Sequence, residues 1–191
     1  MLGRVSTDVE TGARSRTRQA ILAAAVRTLA ADPAASLGDV AEAAGVGRTT
    51  LHRYFAERSD LVAGVTGECA RAVVAAHARA RLDDGTGREA LLRLCREYFD
   101  LGDVLALVFH GVVALDAGVV PGDDGEASLR VCARGHDDGS IDPAQPPGWI
   151  VNVLWCSLYS GWSWTQESGA SRHDTLELLL RSLDGSVRPR D

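Results

Sequence analysis

Apolar side chains recur at helical spacing along most of the chain. The first stripe lies on a helix predicted over 17–30 and consists of Ile21, Leu22, Ala25, Val26 and Leu29. Pro33 ends this helix, because the residue before a proline is pushed out of the α region. The same spacing predicts further helices over about 37–44, 48–55, 59–82, 88–101, 103–116, 126–135, 149–166 and 173–184. No alternating strand pattern of any length occurs, so the sequence predicts an all-α fold.

Breaks in this periodicity divide the chain into four parts. They are a flexible arm over 1–13, a first helical domain over 14–58, a second helical domain over 59–186 and a tail over 187–191. Ser59 is the predicted cap of the long helix that opens the second domain. Within that domain, composition predicts loops over 118–124 and 137–148.

Every one of the twenty basic residues is an arginine. A chain without lysine cannot form a Schiff base, anchor pyridoxal phosphate or supply the lysine of a P-loop, which excludes several classes of enzyme. The charge is also uneven. Residues 1–60 hold eight arginines against seven acidic residues, whereas the remaining residues hold twelve arginines against nineteen. We therefore expect the two domains to have different partners, and the acidic second domain not to bind DNA on its own.

The cysteines form no recognisable metal or catalytic motif. They contain no C-x-x-C pair and stand 24 to 37 residues apart, at Cys69, Cys95, Cys132 and Cys156. A metal alternative would use Cys132 with His136, Asp137 and Asp138, but this run leaves a helix into a loop, and a metal needs three or four converging ligands. A catalytic alternative would pair a cysteine with His110, although helix-buried cysteines are usually inert. We expect no metal, no cofactor and no enzymatic activity.

No segment has the length of a membrane span or the pattern of a secretory signal. The N-terminus lacks the apolar run of a signal peptide. The two longest apolar runs, 104–115 and 149–164, are shorter than the roughly 20 residues that a span needs. We expect a soluble, cytoplasmic protein that does not bind membranes.

Residues 36–55 have the pattern of two short helices joined by a tight turn. Ser36 and Asp39 have the spacing of an N-terminal cap, and Gly45 suits the turn because glycine adopts positive φ freely. The second helix directs polar side chains outward, at Arg48, Thr49, Thr50, His52 and Arg53. Such a helix fits the DNA major groove, where arginine bridges two acceptors of guanine and a threonine methyl contacts thymine. The alternative is a plain pair of helices with a solvated face.

Four linked motifs in residues 17–65 resemble the N-terminal domain of the TetR family of bacterial transcriptional regulators. They are TRQAILAAA from Thr17, VAEAAGV from Val40, TLHRYF from Thr50 and RSDL from Arg58. The resemblance implies that the second short helix enters the major groove and that the neighbouring helix starts contact phosphates. The rest of the chain resembles the family only loosely, in its number of helices and in the loop before the last two.

The resemblance also implies a role for individual residues of this segment. Bases or the groove wall would be contacted by Arg48, Thr49, Thr50 and Arg53. Phosphates would be contacted by Ser36, His52, Tyr54 and Arg58. Three of these positions depart from the family, which usually has tyrosine, lysine and a small residue in place of His52, Arg58 and Thr49 respectively. Because histidine gains charge as the pH falls, the first departure makes the implied phosphate contact sensitive to pH.

The last two predicted helices carry enough apolar surface for an interface between subunits. The first of them is apolar around nearly its whole circumference, which indicates burial on all sides. Family members dimerise by packing these two helices into a four-helix bundle, so the resemblance implies a homodimer. The predicted interface consists of Ile150, Leu154, Leu158, Leu176, Leu179, Leu180 and Leu183. The alternative is that these residues complete the core of one protomer.

The middle helices and the eighth helix supply aromatic and polar side chains for a small-molecule site. The candidates are Cys95, Tyr98, Phe99, Phe109, His110, Trp155, Tyr159 and Trp162. An apolar, aromatic cavity with a few polar groups is the usual form of such a site. The alternative is that an aromatic stripe at helical spacing belongs to the core.

Together these patterns predict a homodimeric transcriptional regulator that binds double-stranded DNA. We expect a repressor that reads a near-palindromic operator and is released by a small-molecule effector whose identity the sequence does not give. The alternative is an all-α dimeric ligand-binding module that has lost operator binding.

Overall fold

Helices make up the fold throughout the part of the chain that can be described. The computed structural model describes residues 4–114 and 126–189. These residues form α1 (Arg4–Ala31), α2 (Leu37–Ala43), α3 (Arg48–Tyr54), α4 (Arg58–Ala80), α5 (Gly87–Asp100), α6 (Asp103–Phe109), α7 (Ala127–Asp137), α8 (Pro147–Ser168) and α9 (Arg172–Val187). Within these ranges no strand occurs, and the all-α prediction is confirmed.

The first helix is longer than predicted at its N-terminal end. It begins at Arg4 rather than at Thr17, so most of the segment predicted as a flexible arm is helical. The predicted start rested on the first apolar side chains, but residues 4–13 contain no proline. A helix that is already nucleated by its packed stripe can extend through such a segment, because each further residue adds a backbone hydrogen bond. Residues 1–3 of the predicted arm lie outside the described part.

Two other boundaries differ from the prediction. Helix α4 begins at Arg58, and its cap is Glu57 in a capping box with Asp60, so Ser59 lies inside the helix. Helix α6 ends at Phe109 instead of continuing to residue 116, because the chain turns at Gly111, where φ is 69°. Residues 115–116, the predicted loop 118–124 and residues 190–191 of the predicted tail lie outside the described residues.

Two apolar cores meet along helix α4. The N-terminal core joins α1, α2 and α3 to the first half of α4 and to one side of α6, with Leu61 and Val65 of α4 fully buried in it. The C-terminal core joins the second half of α4 to α5, α7, α8 and α9, and Val73 and Ala76 belong to it. The predicted boundary after residue 58 therefore falls in the first turn of a helix that both cores share.

Helices α5 and α7 approach each other at two glycines. A Cβ atom added to Gly87 would lie 2.2 Å from the backbone nitrogen of Gly135. The backbone N–H of Gly87 donates to the carboxylate of Asp138 over 2.8 Å, which ties the start of α5 to the end of α7. This contact sets the distance between the two helices in the C-terminal core.

None of the helices in residues 4–114 and 126–189 is both long enough and apolar enough to cross a membrane.

Candidate DNA interface and effector site

Helices α2 and α3 form a helix-turn-helix supported by α1. Gly45 makes the turn between them with a φ of 66°, and the N–H of Val46 donates to the carbonyl of Ala41 over 3.0 Å. Leu51 of α3 is fully buried, and Phe55, which follows the helix, is nearly so. These two apolar anchors fix which side of α3 faces the core, so its opposite side is presented to solvent.

The outer face of α3 carries the predicted base-contacting side chains. Arg48, Thr49 and Arg53 are exposed and Thr50 is half-buried. The guanidinium of Arg53 lies over the ring of Tyr54, with 5.7 Å between the guanidinium carbon and the ring centroid. This stacking limits the positions that the arginine can take before it meets DNA. The arrangement therefore offers two guanidinium groups and two hydroxyls on one helix face, which is the chemistry that reads base edges in the major groove.

Arg48 leans back against the start of helix α2. Its Nη2 and Nε atoms would lie 3.2 and 3.3 Å from a Cβ atom placed on Gly38. The same guanidinium helps to lower the pKa of Asp39, after the larger effects of the hydrogen bonds from Ser36. Arg48 is thus placed between the two helices, and the absence of a side chain at Gly38 provides the space for it.

Ser36 forms the cap that the sequence predicts. Its hydroxyl accepts a hydrogen bond from the N–H of Asp39 over 3.3 Å and donates to the carboxylate of that residue over 2.8 Å. The hydroxyl proton is therefore already used within the protein. A phosphate contact through this proton, which the family resemblance implies, would have to compete with the cap.

The structure gives Arg58 an internal role. Its Nη1 donates to the carbonyl of Ala35, and its Nη2 donates to the carbonyl of Pro33 over 2.5 Å. The side chain therefore ties the turn between α1 and α2 to the first residue of α4. This geometry differs from the phosphate contact implied by the resemblance, because two of the guanidinium nitrogens are directed at backbone carbonyls.

The two remaining predicted phosphate contacts lie at the end of α3. His52 is exposed, and its Nδ1 lies 3.3 Å from the carbonyl oxygen of Ala56. Tyr54 is half-buried under Arg53. The imidazole Nε2 of His52 has no hydrogen-bond partner among the described residues. Because Nδ1 is directed at a carbonyl, Nε2 can donate to a phosphate oxygen only when both ring nitrogens carry a proton.

Most of the predicted effector residues form one aromatic cluster. Its members are in contact through ring pairs whose centroids are 5.2 to 6.5 Å apart, and they are His77, Tyr98, Phe109, His110, Trp155, Tyr159 and Trp162. Cys95 stays outside it, fully buried in the C-terminal core, where burial raises the pKa of its thiol to about 12. His77 is a member that the sequence analysis missed.

A cavity of about 520 Å³ lies between α1, α6 and α8, beside this cluster. Three predicted effector residues line it, namely Phe99, His110 and Trp162. Sequence reasoning missed its other polar side chains, because they come from four different elements: Arg27, Asp103, Thr165, Gln166 and Arg172. Arg172 covers Phe99, with its guanidinium carbon 4.9 Å from the ring centroid and its Nη2 donating to the Phe99 carbonyl.

The predicted dimer residues are mostly core residues of one protomer. Five of them are buried in the C-terminal core, namely Ile150, Leu154, Leu158, Leu179 and Leu183. Leu176 and Leu180 are partly buried against the same core. That prediction is therefore wrong for the five buried side chains, because α8 and α9 face α5 and α7 as well as solvent. An apolar residue on a helix with several neighbours does not indicate which neighbour it contacts.

A different face of α8 and α9 remains open. Trp149, Trp164 and Leu178 are 59%, 52% and 51% exposed, which is unusual for large apolar side chains. They border a groove of about 600 Å³ that is also lined by Asn152 and Cys156. We call this groove and its border the α8–α9 face.

Two of the residues considered for a metal site, Cys132 and Asp138, have structural roles. Cys132 is buried, and desolvation raises the pKa of its thiol to about 11. The carboxylate of Asp138 accepts from the N–H groups of Gly87 and Ser140. In the described ranges no group of three or more potential ligands could hold a metal ion.

Comparison with known proteins agrees with this architecture. Residues 21–65, which cover α2, α3 and the flanking parts of α1 and α4, match the model of bacterial regulatory proteins of the tetR family. The HTH-type transcriptional repressor LfrR of Mycolicibacterium smegmatis (strain ATCC 700084 / mc(2)155) is 37% identical over 187 residues, which are 95% of this chain and 96% of the relative. The chain belongs to the tetR family.

Solved structures of other transcriptional regulators have the same fold. The complex of LfrR from Mycobacterium smegmatis with proflavine has a TM-score of 0.72 and 36% identity, covering 90% of this chain and 96% of the other. The ketosteroid regulator KstR2 of Mycobacterium tuberculosis has a TM-score of 0.70 at 14% identity, covering 91% and 95%, which shows the fold alone. The prediction of a DNA-binding transcriptional regulator with an N-terminal helix-turn-helix domain is confirmed, and the family is one of regulatory proteins rather than enzymes.

Proposed function

We propose that this regulator is a repressor that binds a near-palindromic operator as a homodimer and releases it when a planar aromatic effector binds. The observation that carries the proposal is the outer face of α3, where Arg48, Thr49 and Arg53 are exposed on a helix anchored by the fully buried Leu51. A short helix with this face is suited to the major groove. In this account its hydroxyls and guanidinium groups contact base edges, and His52 contacts a phosphate.

The α8–α9 face supports the homodimer. One recognition helix makes too few contacts to be specific in a genome of competing sites, whereas two copies related by a two-fold axis read two half-sites. Trp149, Trp164 and Leu178 would be covered when α8 and α9 of two protomers pack together. This surface replaces the interface that the sequence analysis predicted.

The cavity between α1, α6 and α8 supports the effector response. Arg27, Ala30 and Ala31 of α1 line it together with Trp162 of α8, so a ligand there would contact both domains at once. A ligand that binds better when α1 and α6 are differently spaced favours the conformation with that spacing, in which α3 is also displaced. The equilibrium between the two conformations shifts by the ligand's differential affinity for them, typically about 1–3 kcal/mol. Planar aromatic molecules fit the flat faces of the neighbouring cluster, and the relative LfrR has been solved with proflavine.

Replacing Arg53 or Thr50 by alanine should weaken specific DNA binding by about tenfold or more, since a good base contact is worth about 1–3 kcal/mol and occurs twice in a dimer. Fluorescence anisotropy with a duplex from upstream of the protein's own gene measures this, against a scrambled duplex of equal length at two salt concentrations. The control is Arg181→Ala, which removes one positive charge from an exposed position of α9. Wild-type affinity in both Arg53→Ala and Thr50→Ala would refute the assignment of α3 as recognition helix.

Proflavine is the probe for the effector site. Trp162→Leu should weaken its binding by about tenfold, because the indole borders the cavity and packs against the rings of Phe109 and Tyr159. Trp149→Leu makes the same change on the opposite side of α8 and should leave the affinity unchanged. The fluorescence polarisation of proflavine measures the affinity of each variant. Equal affinities in the two variants would place the ligand elsewhere, and binding that leaves the DNA complex intact would contradict the release mechanism.

A further inference from the structure

Helix α2 leaves an open space over Gly38, opposite the first residue of α3, and we call this space the notch. Gly38 is half-buried and has no side chain to fill it. A Cβ atom placed on Gly38 would lie 3.2 Å from Nη2 and 3.3 Å from Nε of Arg48, and 3.3 Å from the hydroxyl oxygen of Ser36. The Arg48 guanidinium therefore occupies the space into which a side chain at position 38 would extend.

Neither the helix nor the backbone conformation requires a glycine at this position. Gly38 is the second residue of α2 and does not have a positive φ, in contrast to Gly45, whose φ is 66°. Alanine would be the better helix former here, because glycine loses more conformational freedom on folding. What the glycine supplies is room for the guanidinium of Arg48.

The notch also has a negative charge beside it. The carboxylate of Asp39 accepts from the N–H of Ser36 over 2.7 Å and from its hydroxyl over 2.8 Å. These hydrogen bonds lower the pKa of Asp39, and the charge of Arg48 adds to the effect, so the carboxylate is ionised at neutral pH and attracts the guanidinium. No hydrogen bond to a described residue holds Arg48, so its N–H donors stay available to DNA.

We propose that Gly38 is a specificity-determining residue, because the notch holds Arg48 where it reads one guanine in each half-site of the operator. This inference rests on the proposed role of α3 as recognition helix. Arg48 is exposed and is the first residue of α3, and the first residues of a recognition helix contact base edges. Its guanidinium matches the O6 and N7 atoms of guanine. An arginine that is already held near its bound position loses less conformational freedom on binding.

The test selects bound duplexes from a random-sequence pool with the full-length protein and compares base preferences position by position. Arg48→Ala should lose the preference for guanine at one position of each half-site, by about tenfold or more, and keep the other preferences. Gly38→Leu should lose the preference at the same position, because its side chain fills the notch and displaces the guanidinium. Gly38→Ala only tightens the notch and should weaken the same preference to a smaller extent.

Ala43→Leu is the matched control. It introduces the same side chain at the last residue of α2, which is exposed, and should select the wild-type sequence. Thermal unfolding should show that Gly38→Leu is at least as stable as the wild type, because leucine is the better helix former.

The double variant Gly38→Leu/Arg48→Ala separates positioning of the arginine from a clash with DNA. If Gly38 acts through Arg48, adding Gly38→Leu to Arg48→Ala should change neither the selected sequence nor the affinity for it, which fluorescence anisotropy measures. Independent effects of the two changes would add instead.

Two results would overturn the inference while leaving the proposed function intact. One is an unchanged guanine preference in folded Gly38→Leu beside a wild-type protein that selects a specific sequence. The other is a loss of affinity for all sequences alike in Gly38→Leu that persists in the Arg48→Ala background, which would indicate a clash with the DNA backbone. A wild-type protein that enriched no sequence would overturn the proposed function, and this inference with it.

Discussion

Replacing Gly87 by alanine is expected to destabilise the protein by at least about 3 kcal/mol, at the upper end of what overpacking usually costs. The new Cβ atom would lie 2.2 Å from the nitrogen and 2.4 Å from the Cα of Gly135, and 2.6 Å from the carbonyl oxygen of Val131. All three neighbours are backbone atoms, so no side chain can rotate away. Helices α5 and α7 would have to separate, which also breaks the hydrogen bond from Gly87 to Asp138.

Gly185→Ala is the matched control for this change. Gly185 lies inside α9, and nothing comes within 4 Å of a Cβ atom placed there. Alanine should therefore stabilise the protein by about 0.8–1 kcal/mol through its higher helix propensity. Urea unfolding followed by circular dichroism, at one fixed protein concentration, compares the two variants with the wild type. An unchanged unfolding midpoint in Gly87→Ala would mean that α5 and α7 are farther apart than described.

Replacing Leu178 by glutamate should convert the proposed dimer into monomers. Leu178 borders the open α8–α9 face, and burying an unpaired carboxylate in each half of a dimer costs several kcal/mol, on the order of the values for isolated buried charges. A monomer reads one half-site only, so its affinity for the operator should fall by on the order of a hundredfold or more. Sedimentation velocity measures the first effect, and anisotropy with the operator measures the second.

The thiol of Cys156 gives an independent readout of the same interface. It is exposed in the protomer and lies on the α8–α9 face. The other three cysteines are buried, and desolvation raises the pKa values of Cys69, Cys95 and Cys132 to about 11, 12 and 11. A thiol reagent should therefore react slowly with the wild-type dimer. In monomeric Leu178→Glu it should react faster, and at one thiol per chain, that of Cys156.

Leu129→Glu is the control for the interface variant, because it makes the same change on the exposed side of α7. Leu129 is 36% exposed and does not line the α8–α9 groove. This variant should remain dimeric and keep its affinity for DNA. A Leu178→Glu variant that stays dimeric, or a wild-type protein that is monomeric, would contradict the proposal that the α8–α9 face is the dimer interface.

Helical periodicity was sufficient to predict the all-α fold and the approximate place of each described helix, but not the start of α1 or the end of α6. The spacing of Ile21, Leu22 and Leu29 depends only on which side of one helix is buried, and all three are fully buried. The cap formed by Ser36 and Asp39 is also local, and it is present as predicted. Features that depend on residues near one another in the chain could be predicted, because the sequence contains both partners within a few positions.

Features that depend on partners distant in the chain could not be predicted in this way. The two carbonyls that accept from Arg58 lie 23 and 25 residues earlier in the chain, and no local pattern indicates them. The cavity between α1, α6 and α8 likewise could not be anticipated, because its polar side chains come from four different helices.

Helix α8 shows the limit of the periodicity argument most clearly. Its side chains face three directions: Ile150, Leu154 and Leu158 enter the core, Trp155 and Trp162 join the aromatic cluster, and Trp149 and Trp164 border the open face. A helix that is apolar all round is compatible with any assignment of these three sides. One usable signal was present. Along the open face, small and polar residues such as Asn152, Ser157 and Ser160 lie between the two tryptophans, as in an interface that is solvated in the free protomer.

Selection of bound duplexes from a random-sequence pool tests the central claim most directly, because the protein itself picks out the operator from all possible sequences. The account predicts that the wild-type protein enriches one near-palindromic sequence whose half-sites are about 34–36 Å apart between centres, one turn of the double helix. Arg53→Ala should not enrich that sequence. If folded, dimeric wild-type protein enriched no sequence over the starting pool, the protein would be a ligand-binding dimer without an operator, and the proposed repressor function would be wrong.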